Sequence, residues 1–410
     1  MAAKKEANRE EMSIPAVFKR KEYLSKLDSI FKKTNIVALI GPRGCGKTNL
    51  IKQHINSSSK NKNKNNLLVY IDLKTASISP EKFALDFIGT IAWNFFSKNK
   101  LDLFKYQDLE TIKNLELNDD CLNILNIIEN ELQKIKPDQN LILNSAFKFP
   151  DLFSNQIKKE LIICLDNFDE FISMNNYSQI TNILDLFFNS TSKSKTSKFL
   201  LASFSVWRFK HLFDKYIQNK NLNLVEMNYF SSKESEEFII KHLNIKLDKS
   251  VINKLINYSC GIPLIINSLA VQSAKHNFSI TQLKHFFISE LINPDSEIYR
   301  LCQNNYEISL NNARGAALLK IILKTISQNP NLRLTEIANK IYRSGPVTKS
   351  LLERLIEVDI IQKQDSVFLF SQNIMKFWCR FVFNNIQSTI RLDNKQEPFD
   401  FDKLDEWLEE

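Results

Sequence analysis

The six cysteines, Cys45, Cys121, Cys164, Cys260, Cys302 and Cys379, are scattered and form no C-x-x-C pair. That spacing argues against a structural zinc site or a disulfide framework and suits a reducing compartment. The five histidines include no H-E-x-x-H pair, so nothing here reads as a zinc hydrolase. No apolar run reaches the roughly 18 residues that a membrane-spanning helix needs. The charged stretch Met1–Met12 lacks the apolar core of a secretory signal. No membrane partner is expected, and the expected location is the cytoplasm. No internal repeat is present. Glycine is scarce, at 7 in 410 residues.

What is present supports real hydrophobic cores. Apolar residues make up 43% of the chain, and its length leaves room for two or three domains. Net charge is +9, from 55 Lys+Arg against 46 Asp+Glu. Such an excess suits nucleic acid or an acidic partner, although the general richness in Lys, Asn and Ile accounts for part of it.

Three of the seven glycines, Gly41, Gly44 and Gly46, fall in one six-residue window. The window lies in Gly41-Pro42-Arg43-Gly44-Cys45-Gly46-Lys47-Thr48, directly after the apolar run Ile36–Ile40. This is the phosphate-loop pattern G-x-x-x-x-G-K-[ST], placed between a buried strand and a helix over about Lys47 to Asn56. Glycine lets backbone N–H groups wrap closely round phosphates, and the helix dipole adds positive potential at the same point. Lys47 is expected to neutralise the β- and γ-phosphates, and the Thr48 hydroxyl to ligate magnesium. The expected nucleotide-contacting set is Gly41, Pro42, Arg43, Gly44, Cys45, Gly46, Lys47, Thr48 and Asn49, with Cys45 at a free position of the motif. The cofactors so implied are ATP and Mg2+.

A second signal is Leu161-Ile162-Ile163-Cys164-Leu165-Asp166, an apolar strand that ends in an acid. Parallel sheets bind ligands outside such strand ends, so Asp166 is expected on the magnesium. The next residue, Asn167, takes no proton. Glu170 is therefore the expected general base, with Asp169 as a second magnesium-side acid. Cys164 reads as a small apolar core residue.

The rest of the chain alternates strand and helix, which predicts a parallel sheet covered on both faces. A helix is expected over Val17–Lys32, a strand over Leu67–Leu73, a helix over Pro80–Phe96 and an irregular helical insertion over 97–158. A helix from Glu170 to about Asn189 precedes strands at Lys198–Ser203 and Leu222–Met227. The polar, basic stretch Ser57–Asn66 reads as a surface loop. Ser203 and Ser205 end a strand where a hydroxyl would sense the terminal phosphate, and Arg208 just beyond is a candidate to stabilise transferred charge, as an arginine finger does. Residues 231–275 read as short helices capped at Ser231. Their Gly261-Ile262-Pro263 turn re-aims a helix in a small lid, adding Pro263 to the nucleotide set.

The C-terminal part follows the winged-helix plan: helices over Ala316–Ile326, Leu334–Tyr342 and Val347–Val358, then a hairpin over Gln362–Phe370. Thr348, Lys349, Ser350 and Arg354 are expected on the outer face of the third helix. Lys349 and Arg354 are the candidate DNA contacts. The aromatic stripe at Met375–Phe383 reads as packing, and the tail Glu397–Glu410 carries seven acids and one lysine.

In this order, Val17–Leu24, the Gly41–Thr48 loop, the Leu165–Glu170 acids, the Gly261-Ile262-Pro263 turn and the terminal helices and hairpin resemble the STAND/AAA+-related P-loop ATPases, especially the archaeal-type ATPase family. The resemblance spans roughly residues 15 to 390 apart from 97–158. It implies an α/β fold: a parallel-sheet P-loop NTPase core with a helical lid and a C-terminal winged-helix domain. The boundaries would be a flexible arm at 1–16, the core at 17–230, lid and connector at 231–312, the winged helix at 313–392 and an acidic tail at 393–410. It further implies an ATP-dependent switch that self-associates or binds a partner protein, with the winged helix on DNA or protein. The archaeal type usually carries an Asp-Glu pair; Asp166-Asn167 followed by Asp169-Glu170 looks more like the NACHT spacing. The loop and winged helix are also similar to origin-recognition and Cdc6-type initiators, although the Gly261-Ile262-Pro263 turn fits the STAND pattern better. Three readings stay open: a slow ATPase switch, a nucleotide-gated scaffold with negligible turnover, and a DNA-replication or transposition loader.

Overall fold

Five short apolar segments pair into one parallel sheet in the computed structural model of the chain, which describes residues 18, 20–60, 65–76, 79–97, 100–218, 222–313, 315–329 and 331–383. The expected N-terminal arm and acidic tail lie outside these residues, as does part of the basic loop. By contact, the described residues fall into two compact units. One is the sheet unit, residues 20–41 and 47–227. The other is a helical unit that takes in Phe18, Pro42–Gly46 and residues from Asn228 onward.

In the sheet unit the strands are β1 (Ile36–Ile40), β2 (Asn66–Asp72), β3 (Glu160–Asp166), β4 (Ser197–Ser203) and β5 (Asn223–Glu226), in the spatial order β2-β3-β4-β1-β5. Every neighbouring pair is parallel. Strand β1 is buried at all five positions, and β3 at all but its first. Strands covered on both faces read as such continuous apolar runs. The register sets Ile40 opposite Ser203 and Asp72 opposite Asp166, so these strands end along one edge.

The helices of this unit are α1 (Lys21–Ile30), α2 (Lys47–Lys60), α3 (Leu73–Ala76), α4 (Pro80–Phe96), α5 (Leu109–Lys113), α6 (Asp119–Leu132), α7 (Gln139–Ile157), α8 (Ile183–Thr191) and α9 (Val206–Gln218). Helix α4 has the expected bounds: Ser79 accepts from the Lys82 N–H and Pro80 opens the first turn. The 97–158 segment is more ordered than expected. Its α6 and α7 bury Leu125, Ile128, Phe147 and Phe153 in the same core as Phe83, Phe87, Ile163 and Leu165. Two expected helices are shorter. Helix α1 ends at Ile30, short of Lys32, and the helix expected from Glu170 to Asn189 breaks. A 3-10 segment, Glu170–Asn176, ends the first part. Asn182 then caps α8, its side chain accepting from the Leu184 and Asp185 N–H groups.

In the helical unit, α10 (Ser232–Glu237) starts in the expected place with a reciprocal Ser231/Glu234 capping box. It continues as a π-helical turn, Phe238–His242. Helices α11 (Lys249–Ser259), α12 (Pro263–His276), α13 (Ile280–Ile292) and α14 (Glu297–Ala313) follow. Between α11 and α12, Gly261 has φ +71, and a Cβ there would lie 2.2 Å from the Phe230 carbonyl oxygen. Only glycine fits, and the Phe230 N–H closes on the Gly261 carbonyl at 2.9 Å. The remainder runs α15 (Ala316–Gln328), β6 (Leu332–Arg333), α16 (Leu334–Lys340), α17 (Gly345–Glu357), β7 (Ile361–Gln364), β8 (Val367–Phe370) and α18 (Asn373–Phe377). Its three strands form an antiparallel sheet in the order β6-β8-β7. One apolar core joins this segment to α11–α14, with Trp378 against Tyr299 and Tyr306 at ring separations of 5.7 and 5.6 Å.

On α17 one expectation is overturned. Thr348 is fully buried and gives its hydroxyl proton to the Ser344 carbonyl at 3.0 Å, so it is not an outward-facing residue. Position 348 shares a face with Leu351, Leu352 and Leu355, three, four and seven residues on, all of them buried. Lys349, Ser350 and Arg354 are exposed as expected.

Candidate functional site

The glycine loop leaves the sheet at β1, an interior strand between β4 and β5. Gly41 N–H donates to the Ser203 carbonyl at 3.2 Å, carrying the β1–β4 pairing one residue past the strand. Gly44 and Gly46 take φ of +79 and +99, left-handed values that favour glycine, and α2 begins at the next residue, Lys47. Within the helical unit the loop has its own support. The Tyr229 hydroxyl donates to the Arg43 carbonyl at 2.8 Å, Cys45 is buried, and Ile262 and Leu301 approach Gly44. Burial holds the Tyr229 proton on well above the usual phenol range. Asn49 is exposed on α2, and Pro263 opens α12.

In the sheet unit Lys47 Nζ folds back on the Gly41 carbonyl at 2.7 Å, and Thr48 Oγ1 donates to Asp166 Oδ2 at 2.6 Å. The two motif halves found 118 residues apart in the sequence therefore meet side chain to side chain. Asp166 is buried and heavily held. Its Oδ2 also accepts from the Tyr70 hydroxyl at 3.0 Å, and its Oδ1 from the Asn167 N–H at 2.9 Å. Burial and the Asp166 charge push the Tyr70 hydroxyl far above its ordinary pKa, so it remains a donor. Burial likewise pushes the Cys164 thiol up to about 12, in keeping with a small core residue.

Tyr70 and Asp72 escaped the sequence reading. The available signal was that β2, like β3, is an apolar strand ending in an acid. Asp72 accepts from Asn167 Nδ2 at 2.7 Å, and Asn167 sits in the left-handed region at φ 55. Asp169, expected beside the magnesium, is turned to β4. Its carboxylate accepts from Ser203 Oγ at 2.9 Å, from Phe204 N–H at 3.1 Å and from Ser205 N–H at 3.3 Å. Ser203 and Ser205 are both buried. Glu170 opens the 3-10 segment half-buried, its carbonyl accepting from Ser173 Oγ at 2.5 Å. Arg208 lies half-buried in the first turn of α9. Lys349 Nζ is 3.9 Å from Glu353 on the exposed side of α17.

The donor set suits a hard divalent cation: one hydroxyl and one carboxylate, both oxygen, touching each other. Among the described residues no group of three or more His, Cys, Asp or Glu side chains could hold a metal ion unaided. Magnesium, which keeps waters and takes substrate phosphate oxygens, needs only such a partial protein shell.

A five-stranded parallel sheet with a glycine loop after the interior strand β1, and an acid ending β3 two places away, has the fold of a P-loop ATPase. Solved structures of that fold are similar over most of the chain. A Walker-type ATPase of Pyrococcus abyssi matches with a TM-score of 0.62 and 16% identity, over 88% of this chain and 96% of that one. The ORC2 protein of Aeropyrum pernix, in its ADPNP–ADP complexes, matches with a TM-score of 0.52 and 13% identity, over 93% and 97%. No family model matches the chain. Among curated proteins, the zinc import ATP-binding protein ZnuC of Rickettsia prowazekii is 33% identical over 110 residues, which is 24% of this chain and 46% of that protein. The RecBCD subunit RecC of Buchnera aphidicola is 27% identical over 165 residues. The chain thus spans about half of the first relative and 14% of the second. No helix among the described residues is long and apolar enough to cross a membrane.

Proposed function

We propose that the chain binds ATP with magnesium at the phosphate loop and hydrolyses it slowly, as a switch of the STAND/AAA+ type. The observation that carries this reading is the Thr48 Oγ1–Asp166 Oδ2 contact of 2.6 Å at the mouth of a loop whose glycines hold left-handed turns. Backbone N–H groups of Gly44–Thr48 and the start of α2 would cradle the phosphates. Lys47 would leave the Gly41 carbonyl for the β- and γ-phosphates, and Thr48 and Asp166 would hold magnesium, which when bound neutralises phosphate charge. Glu170 orients a water and takes its proton as the water oxygen attacks the γ-phosphorus. The bond to the bridging oxygen breaks and ADP leaves with phosphate. Arg208 is the candidate to steady the transferred charge.

The nucleotide state would govern self-association and the binding of DNA or protein through residues 315–383, read as a winged helix with exposed Lys349 and Arg354 on α17. Isothermal titration with ATP and magnesium tests the site. The parent should bind and Lys47→Ala should not; equal binding by that variant would remove the assignment. Glu170→Gln should bind ATP but release phosphate at least tenfold more slowly. An unchanged rate would remove Glu170 as base. A salt-dependent gel shift that disappears in Lys349→Ala/Arg354→Ala tests DNA as the partner, and no binding at low salt would favour protein.

A second reading, a nucleotide-gated scaffold without turnover, is favoured by Asn167, which stands where the archaeal type has its Glu and has its amide engaged by Asp72. Steady-state phosphate release at the level of Lys47→Ala would select it.

A further inference from the structure

Asp166 Oδ2 accepts from two hydroxyl groups carried by different elements. Thr48 Oγ1, 2.6 Å away, lies in the first turn of α2, directly after the loop; Tyr70 OH, 3.0 Å away, belongs to the sheet. The loop motif does not call for a tyrosine at this place. The register supplies it: Tyr70 pairs with Cys164, two residues before Asp166 and on the same face of β3. A long side chain leaning along β2 thereby reaches the next same-face position of its neighbour.

The arrangement has consequences for an ion at this carboxylate. The terminal torsion of an aspartate is broad and two-fold, so an undirected carboxylate swings. Here one oxygen takes the Asn167 N–H from its own backbone, and the other takes Tyr70. Of the three donors, Tyr70 alone is independent both of the loop and of the turn after β3. Its ring is also held, with Lys52 Nζ 5.9 Å from the centroid, a contact that phenylalanine retains.

We propose that Tyr70 is a positioning residue for magnesium: its hydroxyl fixes the orientation of the Asp166 carboxylate and sets metal affinity rather than nucleotide affinity. The proposal rests on the reading of this site as one for ATP and magnesium. Residues that hydrogen-bond a metal ligand typically change metal affinity about 10- to 100-fold when removed.

The test uses the full chain and Tyr70→Phe, with a fluorescent ATP analogue titrated in EDTA and then at increasing magnesium. Binding of Mn2+ with ATP, followed by electron paramagnetic resonance, serves as a readout independent of turnover. The expected result is a magnesium requirement raised about tenfold or more, weaker Mn2+ binding, and metal-free nucleotide affinity within about twofold of the parent. A cooperative melt of the variant without nucleotide shows that its fold is intact. An unchanged metal requirement overturns the inference and leaves the ATP site standing. Equal losses with and without metal also overturn it, because Tyr70 would then act on the nucleotide or on the loop. A parent that binds no ATP overturns the site reading and this inference with it.

Discussion

Asn167 Nδ2 donates to Asp72 Oδ1 at 2.7 Å, across the ends of two neighbouring strands. Asn167 holds φ 55, a conformation that asparagine and aspartate tolerate better than other non-glycine residues. The amide lets an uncharged residue follow Asp166 and bridge to the end of β2.

Asn167→Asp sets a second carboxylate against Asp72, and like charges at that distance raise one of the two pKa values. A raised carboxylate pKa adds stability only below its ordinary range, and that stability is lost as pH rises through the folded value. The variant should therefore be destabilised by about 1–3 kcal/mol at neutral pH and recover toward acid pH. Thermal unfolding at pH 7.5 and pH 5 measures this. Full stability at pH 7.5 together with faster phosphate release would show that an acid is accommodated here as a base.

Asp169→Ala removes the acceptor for Ser203 Oγ and for two backbone N–H groups. Leaving such donors unpaired costs about 2–4 kcal/mol, and Asp169→Asn should recover part of it. Denaturant unfolding, read beside the magnesium dependence of ATP binding, separates the alternatives. A variant as stable as the parent but with weakened magnesium dependence would return Asp169 to the metal.

Glycine substitutions should split sharply. At Gly89 a Cβ would stand 1.7 Å from the Tyr106 carbonyl oxygen, so α4 and the 3-10 segment Lys100–Gln107 would have to separate. Gly261 adds a positive φ to a similar clash with Phe230. Alanine at either should cost about 3 kcal/mol or more. Gly345, in the first turn of α17, has nothing within 4 Å, and alanine there should be neutral or stabilise by about 0.4–1 kcal/mol. Equal melting temperatures for all three variants would refute the packing.

Asp185 joins α8 to α9, accepting from Lys215 Nζ at 2.7 Å and from the Tyr216 hydroxyl at 2.8 Å. The Lys215 hydrogen bond is the main force holding its carboxyl below the usual range. A lowered pKa adds stability above the ordinary carboxylate value, lost as pH falls through the folded one. Asp185→Asn should melt below the parent at pH 7, and the gap should close in acid. A gap that persists below pH 3 would assign the effect to packing.

Much of the fold was legible because its signals are local. The buried strands announce themselves by unbroken apolar runs, the phosphate loop by glycines that its dihedrals need, and α4 and α10 by their caps. The break in the helix expected after Glu170 was not legible, because the start of α8 is capped from two places at once: by Asn182, and by Asn175 Oδ1, which takes the Ile183 N–H at 2.7 Å across eight residues. Thr348 was misplaced because a threonine beside lysine and serine looks polar, whereas the period of α17 turns it to the core.

By itself the sequence determined where the loop lies, that Lys47 and Thr48 follow it, and that β3 ends in an acid. Each of these depends on a few adjacent residues. Only the tertiary structure decided what those groups touch: that Thr48 meets Asp166, that Tyr70 shares the same oxygen, that Asp72 engages Asn167 and that Asp169 braces Ser203. Those contacts follow from the strand order and from a register in which one residue of slip turns every side chain to the other face, and both are settled by burial of the whole sheet rather than by any local pattern.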